Sequence, residues 1–133
     1  EGVLIGGNLG TLYLLQGTEY QPTFDQPFIF LLEDDDEAGN CTSYEVSRRF
    51  ESLLQLPNFR INMRGLVVGR FQPGSKVTMT DITRIVESKN LGNIPIVSNV
   101  DFGHTIPMVT LPIGGTMKMS LEKSKRPQIL LVA

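Results

Sequence analysis

Residues 28–37, Phe28-Ile29-Phe30-Leu31-Leu32-Glu33-Asp34-Asp35-Asp36-Glu37, decide the fold. Five apolar residues in a row, with no polar alternation, fit a strand covered on both faces, as in a parallel sheet. Five acids then end the run abruptly. On the N-terminal side, Gly2 to Ile5 reads as a short apolar strand. Gly6-Gly7-Asn8 follows, then Leu9, Leu12, Tyr13 and Gln16 at helical spacing. Asn8 suits the N-cap of that helix and Gly17 its close. Glu19 to Gln26, with Pro22 inside it, reads as loop.

On the C-terminal side, Ala38 to Thr42 is a loop and Ser43 to Leu56 a helix with Val46, Phe50, Leu53 and Leu54 on one face. Pro57 ends it. Gly65-Leu66-Val67-Val68-Gly69 is a second buried strand, and Gln72 to Ser75 a turn. A helix follows to about Lys89, with Thr80 as its expected cap and Ile82, Ile85 and Val86 on its apolar face. Ile94 to Val97 is a third strand. Strand and helix alternate throughout, so the expected fold class is α/β, a small, mostly parallel sheet with flanking helices. Met108–Ile113, Thr116–Leu121 and Gln128–Val132 read as short strands joined by Gly114-Gly115 and by a charged turn at Glu122 to Arg126. They would form a short antiparallel extension near the C-terminus.

The 133 residues suffice for one domain, 1–133, and its 41% apolar and 20% charged content is ordinary for a globular chain. A net charge of −2 carries no electrostatic footprint for nucleic acid or an anionic membrane. The longest apolar run is far short of a membrane span, and no export signal opens the chain. The single cysteine, Cys41, rules out a disulfide framework within the chain and fits a reducing, cytoplasmic setting. The start at Glu1, running directly into a strand, is what a piece of a longer protein would look like.

Any imidazole chemistry must use His104, the only histidine. It sits in Asp101-Phe102-Gly103-His104-Thr105-Ile106-Pro107, where a glycine permits close approach, a hydroxyl is at hand and a proline fixes the exit. Sites in open α/β sheets form beyond the carboxyl ends of the strands. Glu33 and His104 both belong at that edge, and a histidine held by a carboxylate is a general base for a serine or cysteine nucleophile. A run such as Glu33 to Glu37 is ordinarily a solvated turn. A divalent-cation site is the other reading, but the spacing lacks an oxygen-ligand loop. Gly6-Gly7-Asn8 bares backbone amides at a helix start, where an anion or carbonyl oxygen could sit, or it is simply a tight turn. It is neither a P-loop nor a dinucleotide fingerprint, so no cofactor and no metal are expected. Cys41, next to acids, makes a poor nucleophile. Arg48 and Arg49 flank a helix, and one of them could pair with the acidic loop.

Together, Gly6-Gly7-Asn8-Leu9, Phe30-Leu31-Leu32-Glu33-Asp34, Gly65 to Phe71, Ile94 to Val97, Phe102 to Met108 and Thr110 to Gly114 resemble the serine LD-carboxypeptidase family, which includes microcin C immunity peptidases. The resemblance runs from Gly6 to about Met119 and is to the family's C-terminal domain. It implies that Glu33 and His104 are the acid and base of a Ser-Glu-His triad. The serine and most of the oxyanion hole would come from an N-terminal domain that is missing here, so this chain alone should be inactive. Gly7, Asn8 and Thr105 are the implied substrate-binding residues. The implied substrate is a murein tetrapeptide cut at its L–D bond, or a peptidyl-nucleotide amide in the immunity branch. The family also leaves room for a homodimer. An acidic wall at Asp34 to Glu37 would favour a cationic lysine or diaminopimelate group. The rival readings are a non-catalytic binding or docking module and a Cys41–His104 hydrolase.

Overall fold

A computed structural model describes residues 1–121 and 128–132. Four parallel strands, β1 (Gly2–Asn8), β2 (Phe28–Glu33), β3 (Met63–Gly69) and β4 (Ile96–Val100), are extended by the antiparallel β5 (Thr116–Ser120) and β6 (Gln128–Val132). The strand order is β4-β3-β2-β1-β5-β6. Helices α1 (Leu9–Leu14), α2 (Thr42–Leu54), the single turn α3 (Phe59–Asn62) and α4 (Met79–Ser88) fill the crossovers. The first four strands step in one direction across the sheet, so right-handed crossovers place every helix on the same face.

That face holds the larger core. Phe28, Phe30 and Leu32 of β2 meet Leu9 of α1, Val46, Phe50, Leu53 and Leu54 of α2, Phe59 of α3, and Ile82 and Ile85 of α4. Phe30 stacks on Phe50 with ring centroids 5.9 Å apart, and Phe59 packs edge-on against Phe28 and Phe30. On the opposite face Leu4, Ile29, Leu31 and Val67 pack with Phe102 and Met117, while Met119 and Ile129 close over them. The sheet therefore curls, and β5 and β6 cover the side that carries no helix.

The parallel sheet, its helices and the antiparallel extension agree with the reading of the sequence. Several details differ: β1 continues through Gly6 and Gly7 to Asn8, pairing with Leu31, Leu32 and Glu33, and α1 closes at Leu15 rather than at Gly17. The segment 108–113 forms no strand; it lies across the second core, with Leu111 against that cluster and Gly114 N–H donating to Leu4 O at 2.9 Å. Strand β4 runs over Ile96–Val100, two residues later than the apolar stretch from Ile94, because Pro95 lacks an N–H to donate. Helix α4 is capped by Thr78 rather than Thr80: the Thr78 hydroxyl accepts from Asp81 N–H at 3.2 Å, and the Asp81 carboxylate accepts from Thr78 N–H at 2.9 Å. The expected turn at Glu122 to Arg126 lies outside the described residues.

This reciprocal box satisfies two backbone donors at the head of α4. Thr78→Ala is expected to cost about 1 kcal/mol and to lower Tm by roughly 3–5 °C. An unchanged melt would show that the box contributes nothing.

Candidate active site

The carboxyl ends of β1, β2, β3 and β4 lie side by side, with Asn8 paired to Glu33 and Gly69 to Val100. Side chains alternate along β2. Phe28, Phe30 and Leu32 go to the helices, so Ile29, Leu31 and the terminal Glu33 go to the other face. There the buried Glu33 meets the loop that follows β4. His104 Nδ1 lies 2.7 Å from Glu33 Oε2. A carboxylate only accepts, so Nδ1 carries the hydrogen, and in the neutral ring Nε2 carries the lone pair. The His104 side chain is 48% exposed, so the imidazole can be reached from outside the domain.

Two glycines make this approach sterically open. A Cβ on Gly103, whose φ is +95°, would lie 2.5 Å from Glu33 Oε2 and 2.9 Å from Glu33 Cβ. A Cβ on Gly69 would lie 2.9 Å from both Glu33 Cβ and the Phe102 carbonyl oxygen. The loop thus rests directly on the acid.

The hydrogen bond to Glu33 raises the pKa of His104 above the ordinary histidine value of 6.5; partial burial opposes this, and the negative charges of Glu33, Asp35 and Asp34 add to the rise. Folding therefore favours the imidazolium. Its contribution to stability is present below the unfolded value near 6.5 and lost as pH rises through the elevated folded value. In Glu33→Gln the bond to a charged acceptor is gone, and the His104 titration is expected to move down. Proton NMR of the single histidine reads this directly, and a midpoint that did not fall would remove Glu33 as its cause.

The acids beyond Glu33 are not a free solvated turn. Asp34, one step along the chain, faces the helices and is buried. Its Oδ2 accepts from Arg49 at 3.1 Å and its Oδ1 from the Asn8 amide at 3.3 Å. Burial raises its pKa, and the Arg49 cation opposes that rise. Asp35 Oδ2 accepts from the same Asn8 amide at 3.4 Å, and its Oδ1 accepts from Glu37 N–H at 3.0 Å. Arg49, not Arg48, is the arginine that pairs with this turn; Arg48 bonds Glu45 and lies over Tyr44.

The residues expected to bind substrate are spread along this edge. Asn8 caps α1 through Thr11 N–H at 2.8 Å and spends its amide on Asp34 and Asp35. Gly7 is open, with no atom within 4 Å of a Cβ placed on it. Thr105 is buried beside His104, and its hydroxyl has no hydrogen-bond partner among the described residues. Cys41 is exposed in the turn that leads into α2, and no hydrogen bond joins it to His104.

Phe102 and Arg70 had no assigned role in the sequence reading, yet both hold the His104 loop. Phe102 wedges into the second core. Arg70 Nε donates to Asp101 Oδ1 at 2.8 Å, and its Nη2 donates to the carbonyls of Ile106 at 3.1 Å and Pro107 at 3.4 Å. The available signal was topological: parallel β3 and β4 put the residue after Gly69 next to the residue after Val100, and these carry opposite charges.

Residues 1–119 match the family model described as LD-carboxypeptidase C-terminal domain. YocD of Bacillus subtilis, which bears a carboxypeptidase name, is 43% identical over 120 residues, covering 90% of this chain and 35% of its own length. A crystal structure of an MccF-like protein from Bacillus anthracis superposes with a TM-score of 0.89 at 41% identity, covering 96% of this chain and 38% of that one. The muramoyltetrapeptide carboxypeptidase of Oxalobacter formigenes gives a TM-score of 0.71 at 28% identity, covering 98% and 45%. The chain thus spans about a third of the length of the curated relatives it matches. With its family-model match running over residues 1–119 and a relative 43% identical across 90% of it, this chain belongs to the LD-carboxypeptidase family as a C-terminal domain.

Proposed function

We propose that this domain supplies the acid and base of a Ser-Glu-His triad in a serine LD-carboxypeptidase that hydrolyses the L–D peptide bond of murein tetrapeptides in the cytoplasm. The observation that carries the reading is the 2.7 Å contact between His104 Nδ1 and the buried Glu33 Oε2, in an imidazole that is otherwise nearly half exposed. His104 Nε2 takes the proton of a serine hydroxyl as its oxygen attacks the scissile carbonyl. It then returns that proton to the departing D-alanine amine. Glu33 orients the ring and stabilises the imidazolium between the two steps.

The serine belongs to a neighbouring N-terminal domain. Among the described residues no serine hydroxyl bonds His104; Ser52 is bonded to Gln16, Ser75 to the Gln72 carbonyl, and Ser88 to the Ile85 carbonyl. Supporting a seat for that domain, the apolar side chains of Ile106, Met108, Val109 and Ile113 are all at least half exposed just beyond His104. Apolar surface gathered at one place is what a covered interface leaves behind when its partner is removed.

The likeness to the MccF-like protein favours a second reading, cleavage of a peptidyl-nucleotide amide by the same triad. One experiment separates the readings. The domain is combined with an N-terminal domain of a relative, association is verified, and D-alanine release from a murein tetrapeptide is measured beside cleavage of a peptidyl-nucleotide. Release of D-alanine supports the proposal. Cleavage of the nucleotide alone moves the domain to the immunity branch, and cleavage of neither makes it a docking module.

A further inference from the structure

The loop that carries His104 is a closed nine-residue excursion. Val109 N–H donates to Asp101 O at 2.7 Å and seals its base. On the entry side, Arg70 N–H donates to Val100 O at 2.9 Å, which continues the β3–β4 ladder by one rung and fixes where the Arg70 side chain starts. From there the guanidinium reaches three points: Asp101 Oδ1 on the entry limb, and the Ile106 and Pro107 carbonyls on the exit limb. His104 lies between the two limbs. A planar guanidinium has donors in a fixed fork, so one head group sets the separation of both limbs at once, which a single ammonium does not do.

The other anchors act elsewhere. Phe102 and Thr105 are buried and hold the loop down onto the sheet, but the next residue, Ile106, is 94% exposed. Nothing apolar fixes the exit limb at that point. The carbonyls that Arg70 grips are those two and three residues beyond His104.

From this geometry we propose that Arg70 is a positioning residue for His104. Its guanidinium clamps the two limbs of the loop and so holds the imidazole in register with Glu33. Arg70 does not reach the reacting atoms and acts only through the histidine. The inference rests on the reading of His104 as the base.

Two readouts test it. In this chain the nitrogen shifts of the single imidazole, detected through its carbon-bound protons, report the Nδ1–H tautomer held by Glu33. Arg70→Ala is expected to shift them toward a free-imidazole tautomer mixture while circular dichroism stays that of the wild type. In the two-domain enzyme the same variant is expected to lower kcat about tenfold to a hundredfold with KM nearly unchanged, since misplacing a catalytic group by about 1 Å is enough for that. Arg70→Lys, which keeps the charge but not the fork, is expected to fall between. A folded Arg70→Ala with wild-type nitrogen shifts and wild-type kcat overturns the clamp. Should Arg70→Ala fail to fold, Arg70→Lys decides: wild-type shifts and kcat in that variant overturn the fork. Loss of activity in Arg70→Ala without any loss in His104→Ala would instead overturn the underlying triad reading.

Discussion

His104→Ala, measured in an enzyme that carries both the nucleophile domain and this one, is expected to lower kcat for D-alanine release by about 10⁴-fold or more, with little change in KM. The reason is the absence of any substitute. The sequence has one histidine, and within the loop the neighbouring polar side chain, Thr105, has a hydroxyl that neither titrates near neutrality nor hydrogen-bonds Glu33. Removing the imidazole leaves the serine without a proton acceptor and the departing amine without a donor. Removing the ring also leaves the buried Glu33 carboxylate unpaired and forfeits the stability linked to the raised His104 pKa, so a folded variant should melt below wild type, most clearly at pH below 6.5. Glu33→Gln is expected to fall by about 10³–10⁴-fold, because an amide in place of the carboxylate offers a donor and favours the wrong tautomer. The two losses should not add, since both residues act through one proton transfer. Activity of His104→Ala within tenfold of wild type would end the triad reading.

Gly103→Ala carries the second large effect, with no chemical group removed. At φ +95° an alanine is strained before any contact is considered. Its methyl group would then press on Glu33 Oε2, Cγ and Cβ at 2.5–2.9 Å. Glu33 has little room to yield, because it is buried and its Cβ lies against Gly69. The loop must rise instead, and His104 loses its bond to Glu33. Activity is expected to drop about 10²-fold or more through misplacement alone. Backbone strain should cost about 1–3 kcal/mol besides, visible as a lower Tm. Kinetics and melting of the same preparation test both parts. A variant as active as wild type would show that the loop does not need to touch the acid.

Both predictions concern a pair of residues 71 positions apart, and the sequence already pointed to each of them separately. Glu33 was legible because it ends an unalternating apolar run, which places it at the carboxyl end of a buried strand. His104 was legible because it is unique and sits in a loop with glycine before it and proline after it. Helix α2 was readable from Val46, Phe50, Leu53 and Leu54 on one face. The segment 108–113 was not: its apolar residues suggested a strand, yet Pro107 and Pro112 deny it ladder donors, and it became a cover for the second core. The cap of α4 was misplaced by two residues because Thr78 and Thr80 are both plausible caps locally. Only Thr78 has an acid three residues on to complete the box.

The division has one physical origin. Hydrophobic periodicity, single-copy residues and turn chemistry are local, so the sequence by itself determined an α/β fold with a mostly parallel sheet, the buried central strand, and an acid and an imidazole at one edge of it. Register between strands is not local. Only the tertiary structure decided that Glu33 faces the histidine loop while Asp34, one alternation step away, turns to Arg49 on α2. It also decided that Asn8 is spent on the acidic turn, that Gly69 and Gly103 clear the space over Glu33, and that Arg70 grips both limbs of the His104 loop. Each of these contacts depends on how far one strand slides past its neighbour, and a slip of one residue would turn every side chain on it to the other face.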